Sequence, residues 1–260
     1  MLASAFRGGA FLTSSQEQPS RTFAGRKPCS TRATASESGS RAREPHTTRI
    51  FTFMKLYWPN SDMPHGYLCD TPIHLVYRLS GCLPVGILKE LTAELVEQLT
   101  TLQKHSPQSK DQIEKVKEEY FLQYDSLLDA QDQSRYILID PDALQIVLES
   151  WKILHANGDC HVHAVCIMGN HVHVILSAWP GQPEEKLGPL IARHKRFTDR
   201  MLKRGGYSPP KNESNIWAKG FFDRYIRIGT YEVVLDYLIN NPTKAGLIDD
   251  PRRWPGLWIP

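Results

Sequence analysis

The 260-residue chain contains no CxxC pair, and its five cysteines, Cys29, Cys69, Cys82, Cys160 and Cys166, are scattered and odd in number. That pattern argues against a disulfide framework and against a cysteine-based zinc knuckle, and it suits a reducing cytoplasm. No apolar run approaches the ~20 residues needed to span a bilayer, so a soluble protein without a membrane partner is expected. A strong charge excess is missing too: the formal net charge of +3 is too mild to mark a nucleic-acid binder by its total. What matters is where the charges fall.

Residues 1–50 hold few large apolar residues and show no sustained period, while Ser, Thr, Gly and Arg are abundant. Such a segment cannot offset its ordering entropy, and disorder is expected. Two other readings stay open: an organellar transit peptide, which shares this composition, or a translation start at Met54 or Met63. Residues 51–84 read as an arm followed by a first strand at Ile73 to Leu79, whose alternation puts Ile73, Leu75, Tyr77 and Leu79 on one face and His74 and Arg78 on the other. Leu88, Leu91, Leu95, Leu99 and Leu102, then Ile113, Val116 and Tyr120, carry helical spacing, so 85–122 reads as a charged helical hairpin. No chemistry is assigned to it, and 123–139 reads as loop. Residues 123–260 form the remainder of the domain.

Asp140-Pro141 is a helix start, an N-cap acceptor followed by proline at the first helical position, with Leu144, Val147, Leu148, Trp151 and Leu154 as its buried stripe. A strand from Cys160 to Met168 then turns at Gly169-Asn170 into the run His171-Val172-His173-Val174-Ile175-Leu176. A helix to about Arg204 follows, then a strand near Phe221 to Ile228. The last helix, Tyr231 to about Asn240, is expected to stop at Pro242. The order βαββαβα predicts an α+β fold, a ferredoxin-like split βαβ antiparallel sheet with helices packed on one face.

In a strand, residues two apart share a face. His171 and His173 therefore point the same way, about 7 Å apart along the strand by the usual rise, and can grip one divalent ion; the alternative is a pair of histidines on the wetter face. Tyr237 and Asn241, four apart on a helix, also share a face. If both meet the histidines, Asn241 joins the metal site and Tyr237 is a nucleophile toward a phosphodiester polarised by the ion. Tyr225 and Tyr231 compete for that role, and a core tyrosine is the alternative for Tyr237. The most one-sided charge cluster, Lys186, Arg193, Lys195, Arg196, Arg200, Lys203 and Arg204 against Asp199, is a solvated face or a phosphate-contacting one.

Cys166-Ile167-Met168-Gly169-Asn170-His171-Val172-His173-Val174-Ile175-Leu176 resembles the histidine–hydrophobic–histidine signature of the small single-tyrosine HUH transposases, usually "MPNHVH" before an aliphatic run. Asp236-Tyr237-Leu238-Ile239-Asn240-Asn241-Pro242-Thr243-Lys244-Ala245-Gly246-Leu247 resembles their "YIxxNPVKAGL" segment. His194-Lys195-Arg196-Phe197, Ile216-Trp217 and Gly220-Phe221-Phe222-Asp223-Arg224-Tyr225-Ile226-Arg227 resemble the family's "FK" helix and "WQxGFxDRxIR" strand. Among these transposases the REP-associated, bacterial group is the most similar. The resemblance covers 140–252, with the strand at 73–79 as the family's first; the helical hairpin falls outside it. Gly169 in place of proline suggests a looser turn, and Ala218 and Thr243 are further departures.

The resemblance implies that His171 and His173, with Asn241, bind Mg²⁺ or Mn²⁺. It implies that Tyr237 cuts single-stranded DNA bearing hairpins or palindromic repeats, leaving a 5′-phosphotyrosine. Arg193, Lys195, Arg196, Trp217, Arg224 and Arg227 would contact the nucleic acid, with Trp217 or Phe222 stacking an unpaired base. His161 and His163, on the neighbouring strand with matching alternation, are candidates to flank the metal as partners behind its ligands, at positions where the family varies. A cytoplasmic, nucleoid-associated monomer or homodimer is expected. Two further functions stay open: a non-cutting DNA-binding protein of the same fold, or a zinc hydrolase built on His161, His163, His171 and His173.

Overall fold

Alternating apolar positions build the sheet of this computed structural model, which describes residues 65–105 and 110–260. The expectations for residues 1–50 and for the arm up to residue 64 lie outside the described residues. Two short strands, β1 (Tyr67–Leu68) and β5 (Glu185–Lys186), pair with each other. The main sheet comprises β2 (Ile73–Arg78), β3 (His161–Ile167), β4 (His171–Ser177), β6 (Phe222–Tyr225) and β7 (Leu257–Trp258). Its order is β6-β2-β4-β3-β7, every neighbouring pair antiparallel. Leaving aside the edge strand β7, these are the fourth, first, third and second long strands along the chain, the split βαβ arrangement of an α+β fold.

Register fixes the two faces. Tyr77 pairs with Val172 and Leu75 with Val174, so Ile73, Leu75, Tyr77, Val172, Val174 and Leu176 share one apolar face. The two crossover helices, α3 (Pro141–Ala156) and α4 (Leu187–Arg204), cover it. Asp140 caps α3 by accepting from the Asp142 amide, and Pro141 occupies the first helical position. Trp151 of α3 donates from Nε1 to the Tyr77 hydroxyl at 3.0 Å, which in turn donates to Nε2 of His194 on α4 at 2.7 Å. His194 Nδ1 then donates to Ser150 Oγ at 2.9 Å. The chain of four leaves no polar atom on this buried path unmatched, as low dielectric requires.

Helices on one face hold for α3 and α4, but the other face is covered as well. There α2 (Lys110–Asp129), the second arm of a hairpin whose first is α1 (Val85–His105), lies with the last helix, α5 (Tyr231–Lys244). His74, Val76, His171, His173 and Ile175 are completely buried beneath them. Two boundaries differ from the sequence reading for physical reasons. The apolar stripe Phe121, Tyr124, Leu128 continues helix α2 across residues expected to be loop. α5 runs through Pro242 to Lys244, because a proline in a last turn forfeits little more than one bond. The Asn241 and Pro242 carbonyls then accept from Ala245 and Leu247.

Two stability predictions arise here. Burial, then the Lys195 charge, holds the His194 imidazole down at about 3. The unfolded chain protonates near the ordinary imidazole value of roughly 6.5, so it binds more protons than the folded chain between those values. Stability contributed by neutral His194 is thus complete above pH ~6.5 and is lost progressively as pH falls toward 3. The loss at pH 5 is on the order of 2 kcal/mol. Urea midpoints at pH 7 and pH 5 should differ by less in His194→Gln than in the wild type; equal differences would clear His194 of the effect.

The second concerns Gly169. A Cβ there would sit 2.4 Å from the Gln133 carbonyl oxygen and 2.9 Å from its Oε1. Glycine therefore tightens this turn against Gln133, in contrast to the looser turn expected from the missing proline. Gly169→Ala should lose roughly 1–3 kcal/mol of stability in urea titration, the usual cost of overpacking; no loss would mean that the turn backs away freely.

Candidate metal and nucleophile site

The HxH strand delivers both imidazoles to one point. Nε2 of His171 and Nε2 of His173 stand 2.8 Å apart, completely buried. The remaining nitrogens decide what these atoms offer. Asn170 donates from Nδ2 to the Leu128 carbonyl at 2.9 Å, which turns its Oδ1 to accept from His171 Nδ1 at 2.5 Å. His171 therefore holds its proton on Nδ1 and presents a bare Nε2. His173 Nδ1 meets His74 Nε2 at 3.1 Å, so a proton on His173 Nδ1 donated to His74 would bare its Nε2 as well, the tautomer that ligation of a metal through Nε2 requires. Burial holds both imidazoles down at about 3, aided by His173 at His171 and by Lys244 and Arg224 at His173. Neutral imidazole is the form that ligates a metal.

The third member comes from the hairpin. Asp125 on α2 is completely buried, its Oδ1 lying 3.3 Å from His173 Nε2 and 3.7 Å from His171 Nε2. The ligand atoms of Asp125, His171 and His173 all fall within 4.8 Å of one another, a group that can hold a metal ion. Cis ligands of an octahedral ion at ~2.1 Å stand roughly 3.0 Å apart, so the observed spacings suit a shared ion. Orphaned polar atoms make the same point. Asp125 Oδ1, Asp129 Oδ1 and both side-chain atoms of Asn241 are buried without a hydrogen-bond partner among the described residues. Burial raises the Asp125 carboxyl, while His171 and the Tyr237 hydroxyl pull it back. Asp129 is pushed up to about 7 by burial and then by Asp125.

Tyr237, one turn before Asn241 on α5, donates its hydroxyl to Asp125 Oδ2, and its ring centroid lies 6.2 Å from that of His173. Burial and then the Asp125 carboxylate push its phenol above the ordinary range, whereas Arg224 acts in the opposite sense. Lys244, brought round by the extra turn past Pro242, stacks its ammonium 3.9 Å over the Tyr237 ring. A cleft of about 210 Å³ lined by Glu118, Leu122, Arg224, Arg227 and Val233 opens onto Tyr237.

The competing tyrosines stand elsewhere. Tyr225 bonds the Tyr67 backbone, and Tyr231 packs edge-on to His163. His161 and His163 also fall outside the group: His161 stacks on Trp179 at 4.4 Å, and His163 Nε2 contacts Ser177 Oγ at 3.0 Å. The four-histidine zinc centre is therefore corrected: the register pairs His161 with Ser177, at the far end of β4 from His171, so His161 and His163 stand away from the HxH pair.

The nucleic-acid candidates divide. Trp217 and Phe222 are each only 4% exposed, so neither offers a free face to a base, and that expectation is corrected: Trp217 Nε1 donates to Thr198, and Phe222 packs on Phe121. Lys195 donates to the Ala218 and Gly220 carbonyls at 2.5 and 2.8 Å, fixing the loop before β6. Arg193 pairs with Asp159, while Arg224 and Arg227 both reach Glu118 of α2, at 3.1 and 3.5 Å. Arg196 lines a cleft of about 610 Å³ with Arg200, Lys219 and Phe221.

Sequence reasoning missed Asp125, Asp129, His74 and Gln133. A usable signal was present for one: Asp125 interrupts the stripe Phe121, Tyr124, Leu128, an acid within the buried arc of a helix. His74 shares a face with His173 through the β2–β4 register, which no single strand reveals.

No helix among the described residues is long and apolar enough to cross a membrane. No protein-family profile and no curated protein matches the chain. Among solved structures, a REP-associated tyrosine transposase bound to a REP hairpin is similar at 15% identity and a TM-score of 0.43, over 76% of this chain and 82% of that one. A transposase-like protein from Deinococcus radiodurans R1 is similar at 13% identity and a TM-score of 0.30, over 68% and 94%. These likenesses are distant, and the chemistry of the site rests on its own residues.

Proposed function

We propose that this chain is a metal-dependent tyrosine endonuclease and strand transferase of the single-tyrosine HUH type, acting on single-stranded DNA at hairpins or palindromic repeats. The observation that carries this reading is the hydrogen bond from Tyr237 to Asp125, which sets a potential nucleophile one carboxylate away from the His171/His173 pair within a single chain. The motif resemblance around His171, His173 and Tyr237 adds the substrate class.

His171, His173 and Asp125 are the residues that would hold Mg²⁺ or Mn²⁺, with Asn241, buried and without a hydrogen-bond partner among the described residues, available to the ion or its water. When bound, such an ion polarises a phosphodiester oxygen and stabilises the charge that develops on attack. His74 and Asn170 orient the imidazoles by holding their Nδ1 atoms. Tyr237 Oη forms a bond to phosphorus as the P–O3′ bond breaks. The phenolic proton has Asp125 Oδ2 at hand, and the departing 3′ oxygen takes a proton from water. Products are a 5′-phosphotyrosine and a free 3′-hydroxyl. Arg224 and Arg227, with Lys244 above the Tyr237 ring, set positive charge along the approach, where backbone phosphates would lie.

The test is covalent capture. Labelled single-stranded hairpin DNA incubated with the protein should yield an adduct stable to denaturation that requires Mg²⁺ or Mn²⁺ and disappears in EDTA. Shifted but fully dissociable complexes with every oligonucleotide tried would instead favour the non-cutting DNA-binding protein.

A further inference from the structure

The helical hairpin, outside the motifs and without expected chemistry, supplies more to the site than one ligand. Asp125 and Asp129 are four apart on α2, so they lie on one face of the helix, and that face is turned to the HxH strand. Asp129 Oδ1 stands 3.7 Å from His171 Nε2, the same separation as Asp125 Oδ1 from that atom. Both Oδ1 atoms are buried without a hydrogen-bond partner among the described residues. Two carboxylates on successive turns thus bring a buried oxygen each to His171 Nε2, and that of Asp125 also to His173 Nε2. Buried charge of this kind persists when it is paired or coordinates a cation.

We propose that α2 is latched to the sheet by a divalent ion, held by His171, His173 and Asp125 and, through one of the ion's own waters, by Asp129. Asp129 lies outside the compact trio whose ligand atoms are mutually within 4.8 Å, which suits a ligand reached through water. Small hard dications keep several waters when protein-bound, and an orphaned carboxylate oxygen is a natural acceptor for one. The charge balance is complete: two carboxylates neutralise one dication, whereas His171, His173 and Asn241 would leave its full charge buried. Metal binding and the docking of α2 then become one linked equilibrium.

The latch reaches beyond the ion. α2 also carries Glu118, which ties Arg224 and Arg227, and Phe121, over whose ring the Arg224 guanidinium lies at 4.5 Å. Release of the ion would loosen the helix that arranges the arginines in front of Tyr237. Gln133 and Asn170 complete the attachment, Gln133 donating to the Leu128 carbonyl at 2.8 Å and Asn170 to the same carbonyl at 2.9 Å. These two bonds need no metal and keep the end of α2 in register when the ion leaves.

The proposal rests on the same metal site as the function above but not on the cleavage reaction, and its test uses no DNA. Amide hydrogen exchange of the full chain, with and without saturating Mn²⁺, should show slower exchange over residues 118–130 when the ion is present, by about tenfold or more. Mn²⁺ titrated by calorimetry should bind Asp129→Asn about tenfold or more weakly than wild type, within the range usual for partners behind the direct ligands, and the protection of α2 should shrink with it. His171→Ala should remove both effects, giving a second variant that does not depend on how the hairpin tolerates substitution. Tyr237→Phe should keep the full latch, and adduct at wild-type yield in that variant with retained protection would sink the cleavage reading alone. Unchanged exchange over α2 on adding Mn²⁺, or wild-type Mn²⁺ affinity in Asp129→Asn, would overturn the proposal.

Discussion

Tyr237→Phe is expected to abolish covalent capture of single-stranded DNA, lowering the rate of adduct formation by ~10³-fold or more while leaving binding of the same oligonucleotide within a few-fold of wild type. The size follows from the chemistry: the hydroxyl is the atom that bonds to phosphorus, and no neighbouring group replaces it. Tyr225 of β6 and Tyr231 of α5 are engaged at the Tyr67 backbone and at His163. Removing the hydroxyl also frees Asp125 Oδ2, whose partner it is. A modest stability loss, about 1 kcal/mol as for other single hydrogen bonds, is the expected side effect and would be read separately by urea titration. Adduct at wild-type yield in Tyr237→Phe would remove the nucleophile from the account.

Asp125→Ala should be nearly as damaging by a different route. The carboxylate faces His171 and His173 with one oxygen and holds Tyr237 with the other, so its loss takes a ligand and the orienting bond together. Mn²⁺ affinity is expected to fall on the order of 100-fold or more, since a direct ligand matters at least as much as the partners behind it, and adduct formation should fall with it. Asp125→Asn separates the two roles. The amide oxygen can still accept from Tyr237, but the charge that attracts the ion is gone. The metal-free Asp125→Asn protein should melt no lower than wild type, because burial already raises the Asp125 carboxyl and the substitution removes a buried charge. Lower affinity with undiminished metal-free stability would mark Asp125 as a site residue, whereas a large drop in metal-free melting temperature would mark it as part of the packing.

Much of the fold was legible because its signals are local. Alternation in β2 and β4, the Asp140-Pro141 start of α3 and the stripe Leu144, Val147, Leu148, Trp151, Leu154 all read directly from neighbouring residues, and the strand order follows once the elements are placed. The half of the site borne by one strand, His171 and His173, was equally legible, since spacing of two fixes a shared face. Asp125 was not. Its helix reads as a charged hairpin, and only tertiary packing brings it over β4; the acid inside an apolar stripe becomes meaningful once the helix is extended to Asp129. The role of Trp217 was misjudged for a related reason. The sequence marks an indole as a nucleic-acid contact, but Trp217 fills the core beside Tyr77. Burial, which composition does not report, decided it.

His74 illustrates what a register adds. Read along β2 it is simply one of the residues facing away from Ile73, Leu75 and Tyr77. Pairing with β4 sets it beside His173 and gives it control over which nitrogen of that imidazole is protonated. Asn170 does the same for His171 while also binding the end of α2. Each imidazole thus has a partner behind its Nδ1, and both Nε2 atoms face the carboxylate of the hairpin.

The most direct measurement is the identity of the DNA-bearing residue. Protein trapped on single-stranded hairpin DNA in Mn²⁺, digested with nuclease and then with protease, can be sequenced by mass spectrometry. A nucleotide linked through a 5′-phosphate to Tyr237, present with Mn²⁺ and missing with EDTA, is the result expected here. A nucleotide on Tyr225, Tyr231 or any other residue, or an adduct on Tyr237 that forms equally well in EDTA, would contradict it.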